Sequence, residues 1–297
     1  MCYNYRLINS LLIRLTLGKN VIYLEGDTMK RIYQDYHMHS SISPDSNVPM
    51  EEMCQAAIDK GFREIAITDH FEFYSTGIIG NRFNEAYLDE YFETINECKE
   101  KFNGRLIIKK GIELGQQHLQ LEMSDRIVQL YKFDFVLGSV HKIKNVDLSQ
   151  IMYNNSIIDI YCKRYLEQVY ELVDKGDFDS LAHLDLIKRY ASKRNVRVNL
   201  INYRIELAQI FQRLIERNKG LEINTSSLRQ GLDEPFPAIP ILKMYKSMGG
   251  EIITIGSDAH NQFDIGKDFD KVINILEDIG FRNIYTFDNR KIQRIEL

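Results

Sequence analysis

The apolar and polar positions of residues 33–280 alternate between two periods. Short apolar runs, several of them ending in polar residues, predict strands at Tyr33–His37, Glu64–Thr68, Leu106–Ile112, Phe135–Val140, Ser180–His183, Leu221–Asn224 and Ile252–Gly256. Between them, helical spacing of apolar residues predicts helices around 50–58, 84–102, 119–131, 157–173, 207–215, 238–248 and 272–279. Glycines that would end three of these helices are Gly61, Gly220 and Gly280.

This repeated strand–helix order places the chain in the α/β class. Successive strands joined by helical crossovers are expected to be parallel, and either a closed barrel or an open doubly wound sheet would satisfy the pattern. The first strand is not followed by a Gly-x-Gly-x-x-Gly run, which disfavours a dinucleotide-binding sheet. The segments 284–287 and 292–295, around Asp288-Asn289, predict a terminal hairpin.

Residues 1–28 differ from the rest. The apolar stretch 10–13 is short and interrupted by Arg14, and no small-residue cleavage site follows it, so a signal peptide is not expected. Met29 reads as a natural beginning. We therefore expect the α/β domain at residues 29–297 and an extension at residues 1–28, either dispensable or the result of an overlong start assignment. The alternative is an N-terminal helix packed on the barrel.

Composition narrows the classes of partner. The chain has 297 residues with net charge −4 and scattered lysine and arginine, so no nucleic-acid partner is expected. Its apolar runs are too short to span a bilayer, and no membrane partner is expected. Of the four cysteines, Cys54 and Cys98 fall on predicted helices as small apolar residues. That is typical of reduced cysteine and predicts a cytoplasmic protein.

The residues that could bind metal follow the predicted strands. Six of the seven histidines lie at strand ends, and only His118 falls elsewhere, which we interpret as a surface histidine. The carboxyl ends of parallel barrel strands share one face, so these side chains are expected to meet there and form a divalent-metal site. They are His37 and His39, Asp69 and His70, Glu113, His141, His183 and Asp185, and Asp258 and His260.

These motifs resemble the polymerase and histidinol phosphatase (PHP) family, and within it the monofunctional histidinol-phosphate phosphatases. The resemblance covers about residues 33–265 and implies a distorted (β/α)7, TIM-like barrel with its active site at the carboxyl ends of the strands. It rests on His37-Met38-His39, Thr68-Asp69-His70, Gly111-Ile112-Glu113, Gly138-Ser139-Val140-His141, His183-Leu184-Asp185, Glu222-Ile223-Asn224-Thr225-Ser226 and Ser257-Asp258-Ala259-His260.

The resemblance also implies a ligand set for two to three divalent ions. The expected ligands are His37, His39, Glu113 and Asp258 for the first ion, bridging Glu113 with His141 and His183 for the second, and Asp45, His70 and His260 for the third. Asp45, His70, Glu113, Asp258 and His260 are expected to be catalytic as well. Asp45 stands where the family often has histidine, and the alternative is a plain loop residue. Asp69 and Asp185 are expected to support the ligands. Such mixed imidazole and carboxylate ligands suit Zn, Mn or Fe.

The implied reaction is hydrolysis of a small-molecule phosphate monoester, L-histidinol phosphate, by a metal-bound hydroxide. Arg189 and Arg229 are expected on loops, binding the phosphate. Phe71, Glu72 and Tyr190 are candidates to contact the imidazole or ammonium of histidinol. The alternatives are a PHP-type phosphatase of other specificity, for example for tyrosine phosphate, and a metal-binding module without catalysis. The sequence leaves the oligomeric state open.

Overall fold

The structure is a computed structural model that describes residues 34–75 and 83–297, together with the backbone of two strands before them. It divides into two units, Met1–Arg31 and Ile32–Leu297. In the first unit, β1 (Leu11–Leu17) and β2 (Asn20–Gly26) form an antiparallel hairpin. The alternative of an N-terminal helix is therefore wrong for these residues. That the extension is dispensable stays a prediction, and Tyr33 of the first predicted strand lies outside the described residues.

The second unit contains the predicted parallel strands and several short additional ones. In chain order they are β3 (Gln34–Asp35), β4 (Glu64–Ile67), β5 (His70–Glu72), β6 (Ile107–Gly115), β7 (Phe135–Ser139), β8 (Lys142–Ile143), β9 (Val146–Asp147), β10 (Ser180–Leu181), β11 (Gly220–Asn224), β12 (Ile253–Gly256), β13 (Asn283–Asp288) and β14 (Lys291–Glu296).

The helices fill the gaps between these strands. They are α1 (Met50–Asp59), α2 (Glu85–Lys101), α3 (Leu121–Tyr131), α4 (Ile158–Lys175), α5 (Ile187–Ser192), α6 (Arg204–Glu216), α7 (Ser226–Arg229), α8 (Ile239–Ser247) and α9 (Phe269–Ile279). Buried Cys54 and Cys98 lie on α1 and α2, as predicted. Across the described parts of the chain, no helix combines the length and apolarity needed to cross a membrane.

The parallel strands form a nearly closed barrel, which confirms the predicted fold. Their order around the sheet is β12-β11-β10-β7-β6-β4-β3. The first and last strands approach each other through a parallel bridge between Met38 and Ala259 and a hydrogen bond from Tyr36 N to Ile255 O of 3.0 Å. This contact between the first and last strands shows that the sheet is a barrel and not an open doubly wound sheet.

Several predicted boundaries differ from the structure. Strand β6 continues past residue 112, so Glu113 lies inside a strand and not after one. His70 begins a further strand, β5, that pairs with β6. Gly220 is the first residue of β11 and ends no helix, whereas Gly61 and Gly280 follow α1 and α9 at φ +84° and +100° as expected. The short helices α5 and α7 were not predicted.

The terminal hairpin β13–β14 was predicted, and it packs on the inner cluster of the barrel. That cluster consists of Tyr36, Ala66, Phe135, Leu137, Ala182 and Phe287. The ring of Phe287 lies 5.1 Å from that of Phe135, and its backbone N–H donates to the hydroxyl of Tyr36 at 3.0 Å. The side chain is 4% exposed. Phe287 thus contributes apolar packing to the barrel from a hairpin that is not part of the parallel sheet.

Replacing Phe287 by alanine should destabilise the barrel. Removing a buried aromatic ring leaves a cavity and costs about 3–5 kcal/mol of unfolding free energy. Denaturant unfolding would measure it. The control is Ile292→Ala, because Ile292 is paired with Phe287 across the hairpin but is 39% exposed. Equal losses for the two variants would show that Phe287 is not part of the core.

Candidate metal centre

All nine predicted ligands meet at the carboxyl ends of the barrel strands. They surround the floor of a cavity of about 220 Å³. Six of them line the cavity: Asp45, His70, His141, His183, Asp258 and His260. The other three, His37, His39 and Glu113, have no exposed surface and lie beneath it. The structure therefore brings together every residue of the predicted ligand set.

The first predicted group is the most buried. His37 Nε2 lies 3.1 Å from His39 Nε2, 3.5 Å from Glu113 Oε2 and 3.8 Å from Asp258 Oδ1. His39 Nε2 lies 3.7 Å from Glu113 Oε2 and 3.5 Å from Asp258 Oδ1. Ligands held at 2.0–2.1 Å around a tetrahedral ion are about 3.3–3.4 Å apart, so this spacing fits a single ion.

The second predicted group shares Glu113 with the first. His183 Nε2 lies 2.9 Å and His141 Nε2 3.1 Å from Glu113 Oε1, and the two imidazole nitrogens are 3.4 Å apart. Because its two oxygens face different groups, Glu113 is placed to bridge two ions. Glu113 Oε2 also lies 2.7 Å from Nδ1 of His70, a residue of the third predicted group.

The third predicted group lies nearest solvent. Asp45 Oδ2 is 3.0 Å from His260 Nε2 and 3.4 Å from His70 Nε2. The side chain of Asp45 is 51% exposed, compared with 14% for His70 and 28% for His260. Asp45 thus faces both imidazoles, and not solvent alone as a plain loop residue would.

The tautomers of His37 and His39 show that these groups fit cations. His37 Nδ1 donates to a carboxylate oxygen of Glu222 at 2.6 Å. His39 Nδ1 lies 3.2 Å from Ser43 Oγ, whose own hydroxyl donates to Asp69 at 2.8 Å. With these protons on Nδ1, the two Nε2 atoms lie 3.1 Å apart as ligand atoms. A contact this short needs a proton on one of them or a cation between them, and a bound metal ion would supply that cation.

Two carboxylates outside the predicted ligand set, those of Glu222 and Glu72, hydrogen-bond to the ligand histidines and orient them. Glu222 accepts from His37 Nδ1 with one oxygen and from the backbone N–H of His183 with the other, at 2.8 Å. Glu72 accepts from His141 Nδ1 at 2.5 Å. Such contacts fix the ring orientation and the tautomer of a ligating histidine. The sequence signals for Glu222 were its place in the Glu222–Ser226 motif and within a buried strand, where a charged residue needs a partner.

Two glycines make room for these carboxylates. A methyl group at Gly256 would overlap Glu222 and the Cβ of His37, and one at Gly115 would overlap the carboxylate of Glu72. Both glycines end barrel strands next to the site. The close approach of side chain to backbone therefore requires glycine at both positions.

The loop that carries Asp258 is held in an unusual conformation. Asp258 has φ +53°, a region that non-glycine residues rarely adopt. Its N–H donates to the carbonyl of His37 at 2.7 Å, and Arg229 donates to the carbonyls of Ser257 and Asp258 at 2.7 and 2.6 Å. These bonds keep the carboxylate aimed at the site, and they offset the backbone strain.

The arginines differ from expectation. Both lie on short helices and not on loops. Arg229 bonds to backbone carbonyls and to Asp264 and does not line the cavity, so it supports the Asp258 loop and does not reach a phosphate in this structure. Arg189 does line the cavity, but its Nη2 donates to Asp258 Oδ2 at 2.9 Å. It is therefore not independent of the ligand set.

Other predicted residues have supporting or core roles. Asp69 accepts from Ser40 and Ser43, and Asp185 accepts from the backbone N–H of Ala238, so both support loops at the site as expected. Phe71 is 2% exposed, packs on the rings of Phe73 and Phe83 and does not line the cavity, so its predicted contact with substrate is wrong. His118 lies outside the site, half-buried beside Gln168 and not at the surface.

The electrostatics of the site reflect the same demand for cations. Burial would lower the pKa of His37, but Glu222 and Glu113 raise it well above its ordinary value. Burial would lower the pKa of His141, but the carboxylates of Glu72 and Glu113 outweigh burial and raise it to about 9. Burial would raise the pKa of Glu113, but the surrounding imidazoles hold it well below its ordinary value. The ligand set is thus stable only around positive charge.

Comparison with known proteins agrees with this geometry. The sequence profile of the PHP domain matches residues 35–226. The chain belongs to the PHP domain family. Its PHP-domain relatives include the histidinol-phosphatase of Lactococcus lactis, 29% identical over 90% of this chain and 97% of that one. A probable histidinol-phosphatase of Clostridium acetobutylicum is 30% identical over 86% of this chain and 97% of that one.

A solved PHP-domain structure matches as well. The histidinol phosphate phosphatase of Lactococcus lactis, crystallised with zinc, L-histidinol and phosphate, superposes with a TM-score of 0.73 at 28% identity. The match covers 88% of this chain and 98% of that one. The resemblance inferred from the motifs is therefore confirmed.

Glu222→Gln should weaken metal binding. The amide keeps the size of the side chain, but its NH₂ would face the N–H of His183 or the proton on His37. Loss of such a supporting contact costs about 10- to 100-fold in metal affinity. Competition with a chromophoric chelator would measure it. The control is Glu93→Gln, on the exposed face of α2. Unchanged metal affinity in Glu222→Gln would show that Glu222 does not orient the ligands.

Proposed function

We propose that this protein is a metal-dependent phosphomonoesterase that hydrolyses L-histidinol phosphate to L-histidinol and phosphate. The observation that carries the proposal is the convergence of nine ligand side chains, in three groups with metal-sized gaps, on the floor of one cavity. The relatives named histidinol-phosphatase, matched over nearly their whole length, support the substrate.

The chain would hold two to three divalent ions of zinc, manganese or iron. The donor set of six imidazoles and three carboxylates suits such metals. Its first two groups are buried and share Glu113, whereas the third contains the half-exposed Asp45. We infer that the third ion is the most readily exchanged. Zinc in the crystallised relative supports this class of metal.

Bound divalent ions would supply an activated water molecule and polarise the phosphoryl group. The residues of this chain supply the rest of the chemistry. Glu113 and Asp258 hold their carboxylates inside a ring of imidazoles, and burial keeps bulk water away from the floor of the cavity. The side chain of Arg189 lines the cavity, and its contacts with Ser226 and Asp258 both use Nη2. The guanidinium keeps further N–H groups that can donate to a phosphate oxygen.

The position of Arg189 is fixed by its neighbours. Its Nη2 donates to Ser226 Oγ at 2.5 Å and to Asp258 at 2.9 Å, and the guanidinium lies 5.3 Å from the ring of Phe236. A guanidinium held in this way loses little further freedom when it binds an anion. We therefore assign phosphate binding to Arg189 and a positioning role to Arg229.

The alternative specificity is a phosphate monoester with an uncharged aromatic alcohol, such as tyrosine phosphate. The catalytically inert metal-binding module is disfavoured, because all nine predicted ligands are present and converge.

The substrate assignment predicts a ranking. With saturating zinc or manganese, kcat/KM should be much higher for L-histidinol phosphate than for a phosphotyrosine peptide or a phosphodiester. Phosphate release would measure all three. The apoprotein, prepared with a chelator, is the control and should be inactive on each. A higher kcat/KM for the phosphotyrosine peptide would contradict the assignment of L-histidinol phosphate as the substrate, but not the assignment of phosphatase activity.

Arg189→Ala should lower kcat/KM by about ten- to a hundredfold, the value of a charge-assisted hydrogen bond. Arg189→Lys should recover only part of the loss, because an ammonium lacks the forked donor. Inhibition by inorganic phosphate should weaken in parallel. Saturating metal is needed, since Arg189 also holds Asp258.

The control for Arg189 is Arg194→Ala, which removes an exposed arginine after the same helix. If Arg189→Ala and Arg194→Ala both keep wild-type kcat/KM and phosphate inhibition, the bound metals alone hold the phosphoryl group.

A further inference from the structure

The cavity has a side wall that differs in chemistry from its floor. The floor is formed by ligand residues, whereas the wall is formed by Tyr74, Phe83, Lys142, Asp147, Leu186 and Tyr190. These residues come from three places: the segment around β5 and the start of α2, the β8–β9 hairpin, and α5 with its preceding turn. If the phosphoryl group lies on the floor, the alcohol that leaves must lie against this wall.

Glu72 was one candidate to meet a positive charge on that alcohol, and its contacts argue against the role. Its carboxylate already accepts from His141 Nδ1 at 2.5 Å, from Lys142 and from Gln116. Three donors, one of them an ammonium, compensate its charge. Glu72 is 6% exposed, so it has little surface with which to contact a ligand.

Asp147 is the other carboxylate of the wall, and it is placed differently. It ends β9 and is half-buried. Its Oδ1 accepts from the N–H and the hydroxyl of Ser149, at 2.8 and 2.6 Å. Within the described ranges, Asp147 has no ion-pair partner, and its Oδ2 accepts no hydrogen bond. The side chain is therefore held in place by one oxygen while the other is available.

The ammonium of Lys142 forms its ion pair elsewhere and not with Asp147. Lys142 lies opposite Asp147 in the β8–β9 hairpin. Its ammonium instead pairs with Glu72 and lies 4.7 Å from the ring of Tyr74. The wall thus presents one carboxylate without an ion-pair partner in the described chain, beside three aromatic rings.

We propose that Asp147 determines specificity by recognising the positive charge of the leaving alcohol, an inference that rests on the proposed function. L-Histidinol carries an ammonium group and an imidazole. A carboxylate forms a charge-assisted hydrogen bond with either in its protonated state, and the rings of Tyr74, Phe83 and Tyr190 offer faces for an aromatic or cationic group. A phosphotyrosine residue within a peptide releases a phenol side chain that carries no positive charge, so Asp147 discriminates against it.

The experiment compares two classes of substrate in Asp147→Asn. Asparagine keeps an oxygen for the bonds from Ser149, because asparagine and aspartate serve equally in this capping role. The variant should therefore fold normally, and inorganic phosphate should inhibit it as it does the wild type. Its kcat/KM for L-histidinol phosphate should fall about tenfold, the value of a charge-assisted hydrogen bond reduced by partial exposure. Its kcat/KM for p-nitrophenyl phosphate should not change.

Two further measurements separate recognition from a structural effect. Inhibition by L-histidinol should weaken in Asp147→Asn, and the difference from the wild type should shrink as salt is added. The matched control is Asp125→Asn, which removes one negative charge from the exposed face of α3. It should behave as the wild type with both substrates.

Two outcomes would overturn the proposal. One is an unchanged kcat/KM for L-histidinol phosphate in Asp147→Asn, and the other is an equal loss of kcat/KM with both substrates. If the wild type does not hydrolyse L-histidinol phosphate, the proposed function fails instead. The ratio of kcat/KM for phosphoethanolamine to that for ethyl phosphate then tests Asp147 by itself: the ratio falls in Asp147→Asn if Asp147 reads charge and stays constant if it does not.

Discussion

The site depends on the buried carboxylate of Glu113. It has no exposed surface, and its oxygens lie within 3.7 Å of nitrogens from five imidazoles: His37, His39, His70, His141 and His183. A carboxylate in such a place is strongly destabilising unless positive charge surrounds it. In the absence of metal, protons on the histidines would supply that charge, which is why Glu113 holds the pKa of several of them high. Bound metal ions would replace those protons, and the same geometry would then act as a ligand set.

The barrel provides what this arrangement needs from the chain. Its strands deliver ligands to one face, and the second carboxylates, Glu222 and Glu72, lock imidazoles from behind. Both approach backbone positions where only glycine fits, Gly256 and Gly115. The metal site therefore constrains three kinds of residue: the ligands, the carboxylates that orient them and the glycines that make room for those carboxylates.

The sequence predicted the barrel and the ligands because both follow from local patterns. Periodicity distinguishes strand from helix, and parallel strands place their carboxyl ends together, so the residues after each strand can be grouped without knowing the closure. The resemblance to the PHP family then implied which of these residues would bind each ion. Glu113 lies inside β6 and not after a strand as predicted, but the ligand prediction still holds because its side chain points to the same face.

What could not be predicted depends on contacts between distant segments. Nothing local distinguishes Glu222, which orients His37 across 185 positions of sequence, from a buried charge with another partner. Arg229 has the chemistry of a phosphate ligand, and only its bonds to two carbonyls show that it supports a loop. Phe71 follows a ligand directly, yet alternation along β5 turns it into the core.

The separation of floor and wall has a physical consequence for how such a site can change. Three ions against three ligand carboxylates would leave roughly three positive charges on the floor, which favours a phosphate monoester whatever its alcohol. Glu72 is bound to a ligand of the floor, so a substitution there would reach His141, Lys142 and Gln116 together. Among the described residues, the carboxylate of Asp147 accepts hydrogen bonds from Ser149, which lies outside the ligand set. Specificity for the alcohol can therefore change at the wall without moving a metal ligand, and the reaction and its selectivity are held by different parts of the fold.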